Sequence, residues 1–365
     1  MTDLAPLQDS FGRRISYLRL SVTDRCDLRC QYCMAEKMQF LPKAEVLSYE
    51  EMQFLCEAFI RRGVSKIRIS GGEPLVRKDI MKLMQGLGQH IGSGGFEELT
   101  LTSNATQIPT HAAALADCGV KRVNISLDTL DRGTFLRLTR RDALHQTLAG
   151  IDAAQAAGLQ VKINTVALKN YNEAEIPTLI DWAHGRGMDI SIIETMPMGF
   201  IDENRFDQYV PLLPLQEKLI ERFSLTASSH RTAGPATYFD RPASQPNDAG
   251  RRVGFITPLT HNFCANCNRV RVTCTGEIYT CLGQDGKMDL RAAIKSFDET
   301  LLHRQLDAAL IAKPKGHDFD ISETQQNPAT TRHMSVTGGL RCGFVFTDDL
   351  LTFSGRGTWT MRRII

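Results

Sequence analysis

The sequence predicts an α/β protein, an incomplete (β/α)6 barrel of the TIM type followed by a smaller C-terminal α+β lid. Two observations predict this fold. About six strand-like segments alternate with helical segments over the first two-thirds of the 365-residue chain. The residues that could carry chemistry follow those strand-like segments. Because barrel enzymes place their active sites at the carboxyl ends of the strands, we expect one site at that end.

The strand-like segments are short, apolar and rich in β-branched residues. They span residues 17–22, 66–70, 98–103, 120–127, 159–166 and 189–194. Helical segments separate them. One opens with the capping box Ser48-Tyr-Glu-Glu51 and ends at Gly63, and two others end at Gly119 and Gly158. The repeated order of a strand, a helix and a glycine that ends the helix predicts a parallel sheet.

The pattern changes after about residue 223. Residues 227–252 are rich in Ser, Ala, Pro and Gly and are interpreted as a linker. Beyond them, residues 269–273 and 277–282 predict a hairpin around Thr275-Gly276, and residues 297–312 predict a helix. We therefore divide the chain into a partial barrel (1–226), a C-terminal lid (227–339) and an extension (340–365).

Composition excludes several classes of protein. Lys and Arg number 43 against 41 Asp and Glu, a net charge of +2, which disfavours a nucleic-acid-coating protein. Apolar runs fall short of the ~18 residues that a membrane span needs. The first ten residues have no apolar signal region, so we expect a cytoplasmic protein. In that compartment the ten cysteines are expected to be reduced, and clustered thiols favour metal binding.

Three cysteines form a first cluster, C-x3-C-x2-C, after the first predicted strand. We call Cys26, Cys30 and Cys33 the first triad. Structural zinc needs four ligands, and no fourth Cys or His lies nearby, since Cys56 falls in a predicted helix. Three thiolates on a four-iron cluster leave one iron open to a ligand. The spacing therefore favours iron–sulfur over zinc.

A second cluster follows the linker as C-x2-C-x13-C. We call Cys264, Cys267 and Cys281 the second triad. Cys274 lies between them, so a four-thiol zinc ribbon is an alternative. The intervening segment 269–271 reads Arg-Val-Arg. On a strand its two arginines share one face, and paired guanidinium forks suit phosphate oxygens.

Two motifs together resemble the radical S-adenosylmethionine (SAM) superfamily. The first triad has an aromatic residue, Tyr32, before its third cysteine. Gly71-Gly72-Glu73-Pro74 after the second predicted strand matches the GGEP motif of that superfamily. The resemblance implies a partial barrel of the radical SAM type, in which SAM binds the open iron of the first cluster and is cleaved to a 5′-deoxyadenosyl radical.

The whole layout resembles the GTP 3′,8-cyclase family of molybdenum cofactor biosynthesis, from about Phe11 to Gly339. The matching segments are 18–26, 67–74, 124–128, 263–271 and 332–339. The resemblance implies two [4Fe–4S] clusters and SAM as cofactors. The second triad would hold the cluster that binds the guanine base.

The family also implies roles for single residues. Tyr32, Gly72, Ser126 and Met196 would hold SAM. Arg19, Arg68, Thr102, Lys162, Arg269, Val270 and Arg271 would hold GTP. Catalytic roles would fall on the first triad with Arg269 and Arg271. The implied reaction removes the hydrogen of ribose C3′ and joins that carbon to guanine C8, giving (8S)-3′,8-cyclo-7,8-dihydroguanosine 5′-triphosphate.

Implied partners are GTP, the downstream cyclic pyranopterin monophosphate synthase and a low-potential donor of the flavodoxin or ferredoxin type. We expect no nucleic acid, no membrane, and a monomer or homodimer. Two alternatives stay open: a peptide-modifying radical SAM enzyme with an auxiliary cluster, and a non-enzymatic zinc-ribbon protein. Three features depart from the family. Ala105 stands where many relatives have glycine, which is tolerable if its φ is negative, and Ser191 stands where some relatives have arginine, which removes one possible anion contact. The family also usually ends at Gly338-Gly339, whereas this chain continues to residue 365.

Overall fold

A computed structural model describes residues 4–34, 36–37, 39–199, 201, 204–232, 234–243, 250–260, 263–321 and 328–330. The matching segment 332–339 with its Gly338-Gly339 end, Cys342 and the extension 340–365 lie outside the described residues. No helix in the described ranges has the length and apolarity that crossing a bilayer requires.

The described chain forms one twelve-stranded sheet. Its strands are β1 (Tyr17–Ser21), β2 (Lys66–Ser70), β3 (Glu98–Ser103), β4 (Arg122–Ser126), β5 (Gln160–Val166), β6 (Asp189–Ile193), β7 (Thr226–Ala227), β8 (Thr237–Arg241), β9 (Arg251–Ile256), β10 (Arg269–Val272), β11 (Glu277–Tyr279) and β12 (Lys287–Asp289). Strands β1 to β6 are neighbours in sequence order, and all their pairings are parallel. The six predicted strands are confirmed, and the sheet is consistent with a TIM-type barrel.

The C-terminal strands extend both edges of this sheet. Strand β10 pairs in parallel with β1, and β9 pairs in parallel with β6. Strands β11 and β12 continue one edge in antiparallel fashion, and β8 and β7 continue the other. The predicted β10–β11 hairpin is confirmed. The linker prediction for 227–252 is wrong in part, because β8 and the start of β9 fall within it. Tyr238 and Val253 of those strands are buried and supply the apolar surface that composition alone obscured.

Helices pack against the sheet between the strands. They are α1 (Tyr49–Arg61), α2 (Ile80–Gly88), α3 (Ile108–Asp117), α4 (Arg132–Thr139), α5 (Leu144–Ala156), α6 (Ile176–Gly185), α7 (Arg205–Gln208), α8 (Leu212–Phe223), α9 (Arg291–Lys295) and α10 (Glu299–Ile311). The capping box at α1 is confirmed: Ser48 Oγ accepts from the Glu51 amide at 3.2 Å, and the Glu51 carboxylate accepts from the Ser48 amide at 2.6 Å. Gly63 then ends the helix region with a left-handed φ of 83°.

Alternation along β1 shows how the sheet separates core from site. Leu18 and Leu20 are fully buried in the apolar core, whereas Tyr17 and Arg19 line the cavity on the other face. Polar residues of this kind can line the inside of a barrel because a bound ligand supplies their partners. Cys56 is fully buried and belongs to the apolar core, as its helical position predicts.

The negative φ that would make alanine tolerable at position 105 is not what the structure shows. The φ of Ala105 is +69°, in the left-handed region that favours glycine, and its side chain is fully buried. The Ser103 hydroxyl accepts from the Ala105 amide at 2.9 Å, which helps to hold this turn. An L-residue in this conformation costs roughly 1–2 kcal/mol. The tight turn after β3 therefore carries strain beside the site.

Candidate active site

One cavity at the carboxyl ends of the strands brings most of the predicted site residues together. Those that line it are Arg19, Cys26, Cys30, Tyr32, Cys33, Arg68, Gly72, Thr102, Ser126, Met196, Cys264, Cys267, Arg269, Arg271 and Cys281. Lys162 and Val270 do not line it. Both triads thus share one space, although more than 230 residues separate them in sequence.

The first triad lies on the loop after β1. All three cysteines are buried, with 5–7% of their surface exposed. The Cys33 amide donates to the Cys30 carbonyl at 3.0 Å, which closes a turn that brings both thiols together. Cys26 Sγ accepts from the Leu28 amide at 3.4 Å. Amide donors of this kind stabilise a thiolate that binds iron.

Carboxylates surround the first triad. Burial, together with the neighbouring Cys30, Glu73 and Asp27, raises the pKa of the Cys26 thiol well above its usual value. Asp27 accepts from the Asn104 amide side chain at 2.6 Å, and this side chain also lies 3.8 Å from Cys26 Sγ. These thiols need a cation before they can ionise, and iron is such a cation.

The GGEP segment packs directly under the first triad. A side chain at Gly72 would collide with the backbone carbonyl of Arg25, one residue before Cys26. Glu73 is buried and accepts from Ser103 Oγ at 2.9 Å and from the Asn104 amide at 2.7 Å. Burial raises its pKa to about 8. The segment therefore ties the carboxyl ends of β1, β2 and β3 to one another.

Tyr32 connects the first triad to β4 and β5. Its hydroxyl donates to Asp128 at 2.6 Å, and the same carboxylate accepts from the Val166 amide at 2.8 Å. Burial raises the pKa of Asp128 to about 6 despite these two donors. The ring of Tyr32 is thereby fixed against the cavity wall, beside Ser126.

The second triad comes from two separate elements. Cys264 and Cys267 flank a short 3-10 turn before β10, and Cys281 follows β11, so the hairpin brings them together. Cys264 and Cys267 are only partly buried, in contrast to the first triad. The Cys267 amide donates to the Cys264 carbonyl at 3.1 Å.

Arg13, from the N-terminal segment, clamps the loops around the second triad. Its guanidinium donates to the carbonyls of Cys264 at 2.8 Å, Lys315 at 2.8 Å and Pro314 at 2.7 Å. Asp9 accepts from Arg13 Nε at 2.6 Å in a buried ion pair. Sequence reasoning missed Arg13, because its partners are about 250 and 300 residues away.

Cations surround the second triad. Burial raises the pKa of Cys267, but Lys313 and Arg269 lower it by more, so its pKa lies below the usual value. Lys313 is itself buried, and its Nζ lies 3.6 Å from Cys267 Sγ. Burial lowers the pKa of Lys313, against the opposing effect of Cys267 and Cys281. Sequence reasoning missed Lys313 as well.

Three arginines lie side by side on the neighbouring strands β10, β1 and β2. The register places Arg19 of β1 opposite Arg271 of β10 on one side and opposite Arg68 of β2 on the other. We call these residues the arginine row. Like charges directly opposite each other repel, and burial adds to the cost. Burial and the neighbouring guanidiniums lower the pKa of Arg19 to about 10 and also lower that of Arg271.

The row is arranged for an anion that comes from outside the chain. In the described ranges, no carboxylate forms an ion pair with Arg68, Arg269 or Arg271. The Nε atoms of these three residues are buried and have no hydrogen-bond partner there. Thr102 Oγ1 is also buried without a partner among the described residues. A polyanion in the cavity would satisfy these donors.

Tyr17 is a further site residue that sequence reasoning missed. It is 1% exposed, lines the cavity, and its hydroxyl has no hydrogen-bond partner among the described residues. Burial raises its pKa, but Arg68, Arg19 and Lys66 lower it by more, so the net pKa is lowered. Its position two residues before Arg19, on the same strand face, was the signal that could have found it.

Lys162 and Val270 do not line the cavity, and their surroundings differ. Lys162 is buried on β5, and its Nζ lies 2.5 Å from the Tyr238 hydroxyl and 4.7 Å from the centre of that ring. Burial, with Arg68 and Arg122, lowers its pKa to about 7. Val270 is fully buried in the apolar core, as expected from its alternation with Arg269 and Arg271.

An aromatic group borders the second triad. His317 and Phe319 line the cavity with ring centres 4.4 Å apart, and Phe263 lies 6.4 Å from His317. Gly283 leaves the space that these rings occupy, since a side chain there would collide with both His317 and Phe319. Phe263 begins one of the family-matching segments, but sequence reasoning assigned none of these rings a role. They give the cavity a flat apolar surface beside the second triad, suited to a planar base.

Comparison with known families now defines the class. The Radical SAM superfamily matches residues 20–183, and the Molybdenum Cofactor Synthesis C family matches residues 188–319. Structures of Streptococcus suis SuiB resemble the fold, with a TM-score of 0.56 and 16% identity for the complex with its precursor peptide SuiA, over 84% of this chain and 73% of that one. For SuiB bound to S-adenosylmethionine the TM-score is 0.53 at 17% identity, over 80% of this chain and 67% of that one. The protein is a radical SAM enzyme.

Curated relatives define the family within that class. A GTP 3′,8-cyclase of Erythrobacter litoralis is 60% identical over 334 residues, covering 91% of this chain and 98% of the relative. One of Rhizobium etli is 57% identical over 338 residues, covering 92% and 95%. One of Agrobacterium fabrum is 56% identical over 336 residues, covering 92% and 95%. The chain belongs to the GTP 3′,8-cyclase family.

Proposed function

We propose that this chain converts GTP to (8S)-3′,8-cyclo-7,8-dihydroguanosine 5′-triphosphate, the first step of molybdenum cofactor biosynthesis. The observation that carries the proposal is the single cavity in which both triads face the arginine row. Membership of the GTP 3′,8-cyclase family supports it. A triphosphate brings three to four negative charges, which is the ligand that the row requires.

The first triad fits a [4Fe–4S] cluster that binds SAM. Its three thiols are buried on one short loop. Their C-x3-C-x2-C spacing supplies three ligands, which would leave one iron of a cubane open for SAM. With SAM bound, the cluster supplies the 5′-deoxyadenosyl radical that removes the hydrogen from ribose C3′.

The chain's own residues would bind and orient SAM. Gly72 leaves room where any side chain would meet the loop of the first triad. The backbone around it and Ser126 offer polar groups for the methionine part of SAM, with Met196 nearby. Tyr32, fixed by Asp128, would border the adenosine part. A dry, closed site also protects a radical from side reactions.

Cys264, Cys267 and Cys281 would hold a second [4Fe–4S] cluster, which would offer an open iron to the guanine base, and Phe263 and His317 would border that base. Arg19, Arg68, Arg269 and Arg271 would hold the phosphates, with Thr102. Each charge-assisted contact contributes roughly 1.5–3 kcal/mol, so the set is sufficient for micromolar affinity after the cost of association. Lys162 would join them by leaving Tyr238, and Val270 would contribute through its backbone alone.

We further propose the same organisation as the sequence predicts: residues 1–226 as the radical SAM part, 227–339 as a lid that carries the second cluster, and 340–365 as an extension. The product would pass to cyclic pyranopterin monophosphate synthase. A low-potential flavodoxin or ferredoxin would supply electrons in the cytoplasm to a monomer or homodimer.

The test is an anaerobic assay of GTP cyclisation under dithionite, with iron analysis. Wild-type protein is expected to hold about eight irons and to form the cyclised product with 5′-deoxyadenosine. Replacing the first triad with alanine should abolish both products. Replacing the second triad should abolish cyclisation and leave SAM cleavage. Cys274→Ala is the control and should keep all its iron. An unmodified GTP pool in the wild type would refute the proposal, and iron loss in Cys274→Ala would favour a four-cysteine site.

A further inference from the structure

Lys313 is a buried cation that the proposed reaction does not use. Its side chain is 3% exposed, and it does not line the cavity. A substrate in the cavity therefore does not reach it, and its role must concern the protein around it.

The contacts of Lys313 converge on the hairpin that carries the second triad. Its Nζ donates to the carbonyl of Arg269 at 3.3 Å and to the carbonyl of Thr280. Arg269 lies two residues after Cys267, and Thr280 directly precedes Cys281. The third contact of Nζ is Cys267 Sγ, at 3.6 Å. The Lys313 ammonium thus connects the segment that carries Cys267 with the segment that carries Cys281.

A buried ammonium needs a counter-charge. A lone charge in the interior costs several kcal/mol unless an opposite charge and hydrogen bonds compensate it. Among the residues that the structure describes, no carboxylate lies within ion-pair distance of Lys313. The group in contact that can carry a negative charge is the thiol of Cys267. A thiolate that binds iron is always charged, so a cluster at this site would supply the counter-charge.

We propose that Lys313 is a positioning residue of the second triad, whose ammonium holds the Cys267 thiolate and raises the reduction potential of the cluster there. This inference rests on the proposed second cluster. Hydrogen bonds to the sulfurs and nearby charge both set the potential of an iron–sulfur cluster. Reduction adds one negative charge, which a cation at this distance stabilises.

The experiment measures the potential of the second cluster alone. A protein with the first triad replaced by alanine keeps only the second cluster, which is reconstituted anaerobically and titrated with EPR detection. Lys313→Met removes the charge, Lys313→Gln keeps a polar group of similar length, and Lys313→Arg restores the charge. Lys315→Met is the matched control, since Lys315 lies two residues away and is exposed.

The neutral variants should hold about four irons and titrate at a more negative potential. We expect at least a tenfold change in the ratio of reduced to oxidised cluster at fixed potential, which is 59 mV for one electron. Lys313→Arg and Lys315→Met should match the parent. If the neutral variants lose iron while Lys313→Arg keeps it, the result also supports a requirement for a positive charge at position 313.

Two outcomes would overturn the inference. An unchanged potential in an iron-loaded neutral variant would show that Lys313 does not tune the cluster. Iron loss in Lys313→Arg as well as in both neutral variants would show that only the shape of the lysine matters. A parent protein without iron at the second triad would instead refute the second cluster, and with it the proposed function.

Discussion

The two triads offer the same three ligands in opposite surroundings. The first is buried and lies on one short loop, with Asp27, Glu73 and Asp128 around it. The second is less completely buried, at Cys264 and Cys267, is assembled from two elements, and has Arg13, Lys313 and the arginines of β10 around it. Carboxylates near a cluster favour its oxidised form, and cations favour its reduced form. From this difference we expect the stronger reducing power at the first triad, beside the GGEP segment, and the affinity for an anion at the second triad.

The largest expected effect is a loss of SAM binding when Gly72, beside the first triad, is replaced. Gly72→Ala places a methyl group on the carbonyl of Arg25, and all the atoms that it meets belong to the backbone of Asp24 and Arg25, which cannot move aside as a flexible side chain could. We expect SAM binding, measured by equilibrium dialysis, to fall by more than about 100-fold.

Gly185→Ala is the control, because nothing lies within 4 Å of the added methyl group at the end of α6. It should leave SAM binding unchanged. Iron at the second triad should survive Gly72→Ala, and its loss would show that the two sites are not independent.

The arginine row gives the next effect. Arg271→Met removes one of the proposed phosphate contacts, each worth about 1.5–3 kcal/mol, so GTP should bind roughly 10–100-fold more weakly. The same change relieves repulsion with Arg19 and Arg269 in the free protein. We therefore expect the unfolding free energy without GTP to rise by about 1 kcal/mol.

Arg291→Met is the matched control, because Arg291 is exposed and paired with Asp289. Arg291→Met should change neither the free energy of GTP binding nor the free energy of unfolding by more than about 0.5 kcal/mol. A destabilised Arg271→Met protein would contradict the view that the row is strained without its anion.

Replacing Arg13 of the N-terminal segment tests what holds the loops around the second triad in place. Arg13→Met removes three hydrogen bonds to the loops around the second triad and leaves Asp9 buried without its cation. We expect a loss of about 3 kcal/mol in unfolding free energy and of about half the iron.

The double variant Asp9→Asn with Arg13→Met separates these effects. Removing the buried carboxylate should recover part of the stability, but the clamp is still missing, so iron at the second triad should remain low. Full recovery of iron in the double variant would show that Arg13 only neutralises Asp9.

The smallest effect is a pH dependence. Lys162 has its pKa lowered to about 7, so it loses its proton as the pH rises above that value. A phosphate contact needs the charged form, so GTP binding must take up a proton. Affinity should fall by up to about tenfold per pH unit between pH 7.5 and 9, and Lys162→Met should remove this slope. A flat wild-type profile would place Lys162 permanently on Tyr238 and outside the GTP site.

The sequence predicts the parts of the fold and site that depend on local spacing. The six barrel strands, the capping box at Ser48 and the β10–β11 hairpin are all confirmed, because each depends on neighbouring residues. The first triad could be recognised for the same reason. The arginine row is different. Alternation predicts that Arg269 and Arg271 share a face, but only the register shows that Arg19 lies between Arg271 and Arg68 on the neighbouring strands.

Long-range contacts account for the rest. Arg13 and Lys313 reach the second triad from distant parts of the chain and have no signature of their own. Strand β8 was hidden because turn-forming residues flank a short apolar run. Lys162 lies off the cavity wall because Tyr238, a residue of that hidden strand, covers it. The positive φ of Ala105 follows from the packing of its turn and cannot be read from residue type.

The contrast between the triads is tested most directly by measuring both reduction potentials. Two proteins, each with one triad replaced by alanine, are loaded with iron and sulfide and titrated anaerobically with EPR detection. We predict one four-iron cluster in each, with the lower potential on Cys26, Cys30 and Cys33. Equal or reversed potentials, or zinc in place of iron at Cys264, Cys267 and Cys281, would contradict this account.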